Sequence, residues 1–513
     1  MSISAGNQNW HVATGHRETT AAAVAVLRDG GNAADAALAA TLTATVAEPL
    51  LCSLGGGGHA LVQQAGRAPV ALDFFTHTPR RRRMEALDFF PIIGNFGTDI
   101  QEFHIGMASV ATPGVIAGLV DLNERYGHLP LRELTRPAID LAVAGVALNQ
   151  AQHYTLNILE PIVRASEDSA RLFGLDNRQA PIPAVGTRIA NLPLADFLES
   201  LADDRGDSFY RGEMARRIAA DSVERGGHLT LADLAGYRPR WRRPLRWQYR
   251  DATLWSTPPP AFGGMMLALA CARLELHLDP TSGQGRAGHL DALCQAMAES
   301  EDLRLQLEHP ELLASRRALR SAFDGLVGTG PISRRGTTHI SVDDGRGLAV
   351  SMTLSNGEGS GYVVPGAGII LNNMLGEEDI NRTGFHGWPT NRRLASMMAP
   401  TIVQMGARRW LLGSGGSNRI RTALVQVISN LVDFGLPLQE AIRAPRLHLE
   451  RDQLAIETPE GCWPDCTARW LAENWPDARC WPVRNMYFGG VNAVGRRQSA
   501  ADPRRQGAAQ NGG

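Results

Sequence analysis

The chain has 513 residues, 44% of them hydrophobic and 20% charged, with a formal net charge of −1. That is the make-up of a soluble globular protein, long enough for one large core or several smaller ones. Near-neutrality excludes an electrostatic basis for binding nucleic acid or an acidic membrane surface.

Met1 to His16 is polar, with no charged segment leading into an apolar one, so no signal peptide is expected and the predicted location is cytoplasmic. His16 to Asp29 has helical spacing and stops at Gly30-Gly31. Asn32 caps a second helix that runs to about Glu48, where Pro49 ends it. Ala33 to Leu51 is the most apolar long segment, but it carries Asp35 and Glu48 and reads as a buried helix, not a membrane span. The run Gly55 to Gly58 leads into a strand at His59 to Gln63, with another at Pro69 to Phe74. The basic tract Arg80 to Arg83 reads as a solvated loop. Residues 109–150 alternate turns and helices, 150–250 are mainly helical, and Gly263-Gly264 opens a further helix.

After about Gly328 the character changes. Pro331 to Gly336 reads as an exposed linker. Short strands follow at Thr338 to Val342, Leu348 to Thr353, Gly368 to Leu371, Thr401 to Met405 and Trp410 to Leu412, separated by turn signals such as Asp343-Asp344-Gly345. A helix is expected at Thr422 to Phe434, and the tail from Gln506 to Gly513 is expected to fray. Strands and helices in both halves predict a layered α/β architecture with sheets between helices.

Gly336-Thr337-Thr338-His339 stands where the linker meets the strand-rich part. A threonine that becomes a chain terminus can act as a nucleophile, because its own α-amine serves as the base. Such an amine has a pKa of about 7.7–8.0, near working pH. The turn Ser414-Gly415-Gly416-Ser417 offers successive backbone N–H groups for an oxyanion hole, and Thr353, on a strand, is placed to hydrogen-bond the nucleophile. The six cysteines are scattered, Cys462 and Cys466 included, and neither they nor the histidines show zinc-ligand spacing. No metal and no cofactor is expected.

An ordered set of motifs carries a specific resemblance. It begins with Gly30-Gly31-Asn32-Ala33-Ala34-Asp35, Glu48-Pro49, Leu54-Gly55-Gly56-Gly57-Gly58, Ala111-Thr112-Pro113-Gly114 and Pro258-Pro259-Pro260. It continues through Thr337-Thr338-His339-Ile340-Ser341-Val342, Leu371-Asn372-Asn373, Ser396-Met397-Met398, Gly413-Ser414-Gly415-Gly416-Ser417 and Asp502-Pro503-Arg504. Over nearly its whole length the chain resembles the γ-glutamyltransferase family of N-terminal-nucleophile hydrolases. The resemblance implies a four-layer αββα sandwich made as one precursor. Cleavage between Gly336 and Thr337 would give a large subunit, 1–336, and a small subunit, 337–513, that stay together as one intertwined unit. It implies Thr337 as nucleophile, Thr353 as its support, and Gly415 and Gly416 as oxyanion donors. The partners would be a small-molecule acyl substrate and a water or amine acceptor.

The resemblance breaks down around the acyl group. Where the γ-glutamyl enzymes place a carboxylate-binding arginine after Asp-Phe, this chain has Phe75 after Asp73-Phe74. The serine pair that also holds the carboxylate is Ser396-Met397. Ser355 replaces a common asparagine, Met374 a glutamine or glutamate, and Glu377 an aspartate, and the short Gly384 to Arg393 segment leaves no room for a tyrosine-bearing lid. Arg392, Arg393 and the Arg80 to Arg83 tract are the candidates for a substitute cation. These departures make an amide hydrolase with a non-glutamyl acyl group, in the manner of cephalosporin acylases and an oxamate amidohydrolase, the alternative to a γ-glutamyl enzyme. A non-processing scaffold is the alternative outside enzymes.

Overall fold

Asn32 builds the capping box that the sequence predicts. Its side chain accepts from the Ala34 and Asp35 amides, and Asp35 reaches back to the Asn32 N–H. The computed structural model describes residues 9–95, 100–305, 336–377, 381, 384–450, 452–464 and 466–512. Every residue of the capped helix, Ala33–Ala47, is buried. Its small side chains let Arg17–Arg28, Val115–Tyr126 and Leu131–Ala144 pack against it on one side, and the central strands Gly336–Asp343 and Leu348–Gly357 on the other.

Those strands lie in a seven-stranded sheet ordered Ala508–Asn511, His11–Thr14, Gly336–Asp343, Leu348–Gly357, Gly57–Gln64, Val70–Phe74, Arg240–Arg242. A second, six-stranded sheet is ordered Gln498–Ala500, Gly490–Gly495, Arg408–Gly415, Thr401–Met405, Ala252–Ser256, Leu245–Tyr249. Every pairing within both sheets is antiparallel. Gly263–His277 and Arg419–Val432 cover the second sheet, and Ala287–Leu305 packs on Gly263–His277. The layers are helix, sheet, sheet, helix, a four-layer α+β sandwich.

Strand alternation sorts the side chains. Ile340, Val342, Val350 and Met352 join the core under the first helix layer. Their neighbours His339, Ser341, Ser351 and Thr353 are buried on the opposite side. There Ser341 Oγ donates to the Leu411 carbonyl at 3.2 Å, across to the second sheet. Between the sheets the apolar cluster is small, with Ala13, Leu61, Ala71, Ala349, Ile402, Leu411 and Val494. The inter-sheet layer is therefore unusually polar where it approaches Thr337.

Several boundaries differ from the sequence reading. Strands Gly336–Asp343, Leu348–Gly357 and Arg408–Gly415 run longer than predicted, because pairing on both sides carries them past their apolar centres. The last predicted helix occupies Arg419–Val432. The tail is not frayed, since Ala508–Asn511 pairs with His11–Thr14 as an edge strand. Of the expected linker only Gly336 is described, and it begins a strand; the rest of that linker lies outside the described residues. Residues on either side of Thr337 contribute strands to both sheets.

Candidate active site

The register of the two central strands sets the site. His339 stands opposite Thr353 and Thr338 opposite Leu354, but Gly336 stands opposite Gly357, so the register shifts at Thr337. The extra residue is on the facing strand, where Ser355 and Asn356 together stand opposite Thr337, and such a bulge re-aims side chains and frees backbone groups for other partners. Those partners are specific. Ser355 Oγ donates to the Gly336 carbonyl at 2.6 Å and accepts from the Gly357 N–H at 3.1 Å. The Gly336 N–H donates to the Glu358 carboxylate at 3.3 Å. Arg505 Nη1 donates to the Thr337 carbonyl at 3.1 Å. The Gly336–Thr337 peptide is thus held from both sides, with Thr337 itself only 2% exposed.

Gly415 and Gly416 lie beside this peptide. A Cβ on Gly415 would collide with the Thr337 carbonyl and stand 2.8 Å from Arg505 Nη1. Gly416 has φ +121° and Ser417 φ +54°, a left-handed path that delivers the chain into helix Arg419–Val432. The pair is a strand-to-helix junction, which differs from the free Gly-Gly turn read from sequence. Ser414 Oγ pins it by accepting from the Gly490 N–H at 3.0 Å.

Thr353 does not meet the expectation that it bonds Thr337. Its Oγ1 pairs with His339 Nδ1 at 2.7 Å, and His339 Nε2 pairs with Ser341 Oγ at 2.9 Å. Burial lowers the His339 pKa to about 3, so the ring is neutral. The reason is geometric: in an antiparallel pair the residue directly opposite Thr353 is His339.

The other predicted site residues divide into two groups. Ser355 and Glu377 come to the Gly336 end; a Cβ on Gly357 would stand 2.9 Å from Glu377 Oε1. Phe75, Met374 and Met397 are at most 6% exposed and belong to one apolar cluster under the second sheet. Ser396 Oγ accepts from the Met398 N–H at 3.1 Å.

The candidate cations are engaged elsewhere. Arg393 pairs with buried Asp73 at 3.3 Å and donates to the Phe75 carbonyl and the Tyr237 hydroxyl at 2.5 Å. Arg392 is exposed. Arg80 lies 3.9 Å from Asp233, Arg82 donates to the His386 carbonyl, and Arg83 to that of Val223 at 2.6 Å. None of these lines a cavity at Gly336.

Two adjoining cavities do open there, sharing Leu51, Thr155, Met486 and Arg505. One is lined by Gly336, Glu358, Gly416 and Arg419, the other by Glu48, His16, Gln152 and Asn191 among apolar side chains. Thr338 Oγ1 donates to Glu48 at 3.1 Å. Burial nevertheless raises the Glu48 pKa to about 7, against the pull of Thr338 and Arg505. Burial also lowers Arg505 to about 10, with Glu48 and Asp502 opposing. Glu48, Glu358, Arg419 and Arg505 were not among the site residues read from sequence. Two signals were available: Glu48-Pro49 was already a motif, and Arg505 directly follows another. Among the described residues no group of three or more His, Cys, Asp or Glu is arranged to hold a metal ion. No described helix is long and apolar enough to cross a membrane.

A hydroxyl next to a polarised carbonyl, at a glycine junction rich in backbone N–H groups, suits acyl transfer. Comparison with known proteins agrees. The family profile described as Gamma-glutamyltranspeptidase matches residues 19–512. The chain is 31% identical over 495 residues to a glutathione hydrolase proenzyme of Escherichia coli strain K12, covering 88% of this chain and 83% of that one. It is 30% identical over 471 residues to the acylase ACY 1 proenzyme of Pseudomonas sp. strain SE83, covering 87% and 83%. Among solved structures, cephalosporin acylase from Bacillus halodurans superposes with a TM-score of 0.81 at 26% identity, over 98% of this chain and 96% of that one. A whole-length profile match, enzyme relatives on both the glutathione and the acylase side, and the shared fold lead to one conclusion: the chain belongs to the gamma-glutamyltranspeptidase family.

Proposed function

We propose that this enzyme cleaves itself between Gly336 and Thr337 and then hydrolyses or transfers an acyl group through an ester on Thr337. The observation that carries the reading is the Gly336 carbonyl, gripped by Ser355 Oγ at 2.6 Å on the residue preceding the hydroxyl. The Thr337 Oγ adds to that carbonyl and the C–N bond breaks. The amine takes the proton, and water then hydrolyses the ester. The freed α-amine becomes the base for attack on substrate. The Gly415 and Gly416 N–H groups stabilise the oxyanion. Thr353 acts through His339, keeping the strand that carries Thr337 in register. The pieces 1–336 and 337–513 stay associated, because strands from both are interleaved in both sheets.

The substrate is an amide of a small carboxylic acid. Relatives named glutathione hydrolase and acylase bracket the choice. Met374, buried in an apolar cluster where the γ-glutamyl enzymes commonly carry a glutamine or glutamate for the substrate's α-amine, favours the acylase side, because a glutaryl group lacks that amine. Losing the partners of a desolvated charged group such as that amine costs about 2–5 kcal/mol. The test is to incubate purified enzyme with γ-glutamyl and glutaryl anilides, follow aniline release, and search the fragment beginning at Thr337 for an acyl adduct. Faster release from the glutaryl compound with an adduct on Thr337 is expected. Efficient turnover of the γ-glutamyl anilide alone contradicts the acylase preference, and release without any adduct contradicts the nucleophile.

A further inference from the structure

Strand Leu447–Glu450 carries two buried titratable side chains, His448 and Glu450, that the proposed chemistry does not use. They bond to the start of helix Arg419–Val432, immediately after the glycine junction. We propose that Glu450, braced by His448, is a positioning residue for acyl transfer: through Asn418 it holds Gly415-Gly416-Ser417 in the path that aims the glycine N–H groups at the carbonyl under attack. This inference rests on the reading of Thr337 as nucleophile and of the glycine pair as oxyanion donors.

Four observations support it. First, the hydrogen bonds run in one chain. Asn418 Nδ2 donates to Glu450 Oε1 at 3.0 Å, His448 Nε2 meets Glu450 Oε2 at 3.1 Å, and Thr422 Oγ1 meets His448 Nδ1 at 3.0 Å. Burial lowers the His448 pKa, so the ring is neutral. Its single proton sits on Nε2, because an ionised carboxylate only accepts, and Nδ1 is left to accept from Thr422. Second, the charge on Glu450 is kept. Burial opposes ionisation, but the His448 bond and the fields of Arg419 and Arg421 outweigh it and hold the carboxyl well below the usual carboxylate range. An anion there also stands at the N-terminal end of a 14-residue helix, where the helix dipole favours it. Third, Asn418 spends its side chain away from its own helix. An asparagine just before a helix usually accepts from the second or third helical N–H, but Asn418 makes no such cap and reaches Glu450 instead. Fourth, the segment it fastens is strained. Ser417, at φ +54°, adopts a left-handed conformation that a non-glycine residue keeps only where its surroundings fix it. Behind it the Arg419 N–H donates to the Gly416 carbonyl at 3.0 Å and the Ile420 N–H to the Ser417 carbonyl at 2.9 Å. Ser414 Oγ pins the strand side of the junction to Gly490, and the Asn418–Glu450 bond pins the helix side.

The test compares Asn418→Ala, Glu450→Ala and Glu450→Gln in the purified full-length protein. Asn418→Ala cuts the tether and leaves the Glu450–His448 bond. In Glu450→Gln the amide oxygen still accepts from Asn418, and His448 moves its proton to Nδ1 so that Nε2 accepts from the new NH2 group. Rates are read with whichever of the γ-glutamyl and glutaryl anilides wild type turns over faster, and kcat is counted per cleaved chain. Both alanine variants should lose at least about tenfold in kcat with KM within about threefold of wild type, and Glu450→Gln should keep kcat within about threefold. A purely structural loss would lower the folded fraction without separating kcat from KM. Amide hydrogen exchange over residues 413–421, read by mass spectrometry, should speed up at least about tenfold in Asn418→Ala while the rest of the second sheet is unchanged. Exchange needs no turnover: if wild type neither cleaves itself nor releases aniline, the nucleophile reading has failed and exchange alone decides the tether. If Glu450→Ala does not fold, the other two variants decide. Unchanged kcat or unchanged exchange in Asn418→Ala, or a Glu450→Gln as slow as Asn418→Ala, overturns the proposal.

Discussion

Ser355 Oγ lies 2.6 Å from the carbonyl oxygen of Gly336, and Gly357 fixes the hydroxyl by donating to it at 3.1 Å. That hydroxyl has only one proton, and the geometry commits it to the carbonyl. Removing one such donor from a developing oxyanion slows the chemistry on the order of 100-fold or more. Ser355→Ala should therefore accumulate uncleaved precursor, and Ser355→Thr should mature nearly normally. A time course of cleavage on denaturing gels measures this; wild-type kinetics in Ser355→Ala would remove Ser355 from the mechanism.

His339 and Thr353 form a fully buried pair at 2.7 Å. Thr353→Val keeps the shape but leaves His339 Nδ1 without its partner, a cost of about 1–3 kcal/mol. Stability should fall by that amount in denaturant melts. If the cost is below about 0.5 kcal/mol, the pair is not holding the strand.

Two opposite pH dependences are built into the site. Burial depresses His339 to about 3 and His59 to about 4, below the ordinary histidine value of 6.5. Neutral in the fold and readily protonated when unfolded, they contribute stability that is present above pH 6.5 and lost as pH falls through their folded values. Glu48 runs the other way. Its folded pKa of about 7 exceeds the ordinary carboxyl value of 4.5, so its contribution is full below 4.5 and lost as pH rises through 7. The Glu48 contribution is worth at most about 3 kcal/mol. In Glu48→Gln, the decline of melting temperature between pH 5 and pH 8 should flatten relative to wild type, while the acid limb stays. An unchanged slope across that range contradicts the assignment of Glu48.

Gly415 has no room for a methyl group against the Thr337 carbonyl and Arg505. Gly415→Ala should displace the glycine junction and abolish cleavage while the outer helices still fold, which circular dichroism and gels together test. Normal cleavage in Gly415→Ala would show that the junction yields and does not position Thr337.

Much of this was legible in the sequence because it rests on local chemistry. The Asn32 cap, the Pro49 stop and the strands flanking Asp343-Asp344-Gly345 depend on neighbours only a few residues away. The contacts that define the site do not. Thr353 meets His339 instead of Thr337 because cross-strand register decides it, and the bulge at Ser355-Asn356 falls beyond that pair. Arg505 reaches Thr337 across 168 residues, and Thr338 reaches Glu48 across 290. Arg393, near the pocket motifs in sequence, turns to Asp73, a buried acid that must be neutralised, while Arg392 is exposed.

The central claim is that Thr337 is exposed as a new terminus by its own hydroxyl. Intact mass and N-terminal sequencing of purified wild type, set beside Thr337→Ala, test it most directly. The account predicts two pieces in wild type, the smaller beginning at Thr337, and a single uncut chain in Thr337→Ala. A wild-type chain that stays whole, or a variant that is cut at the same bond, contradicts it.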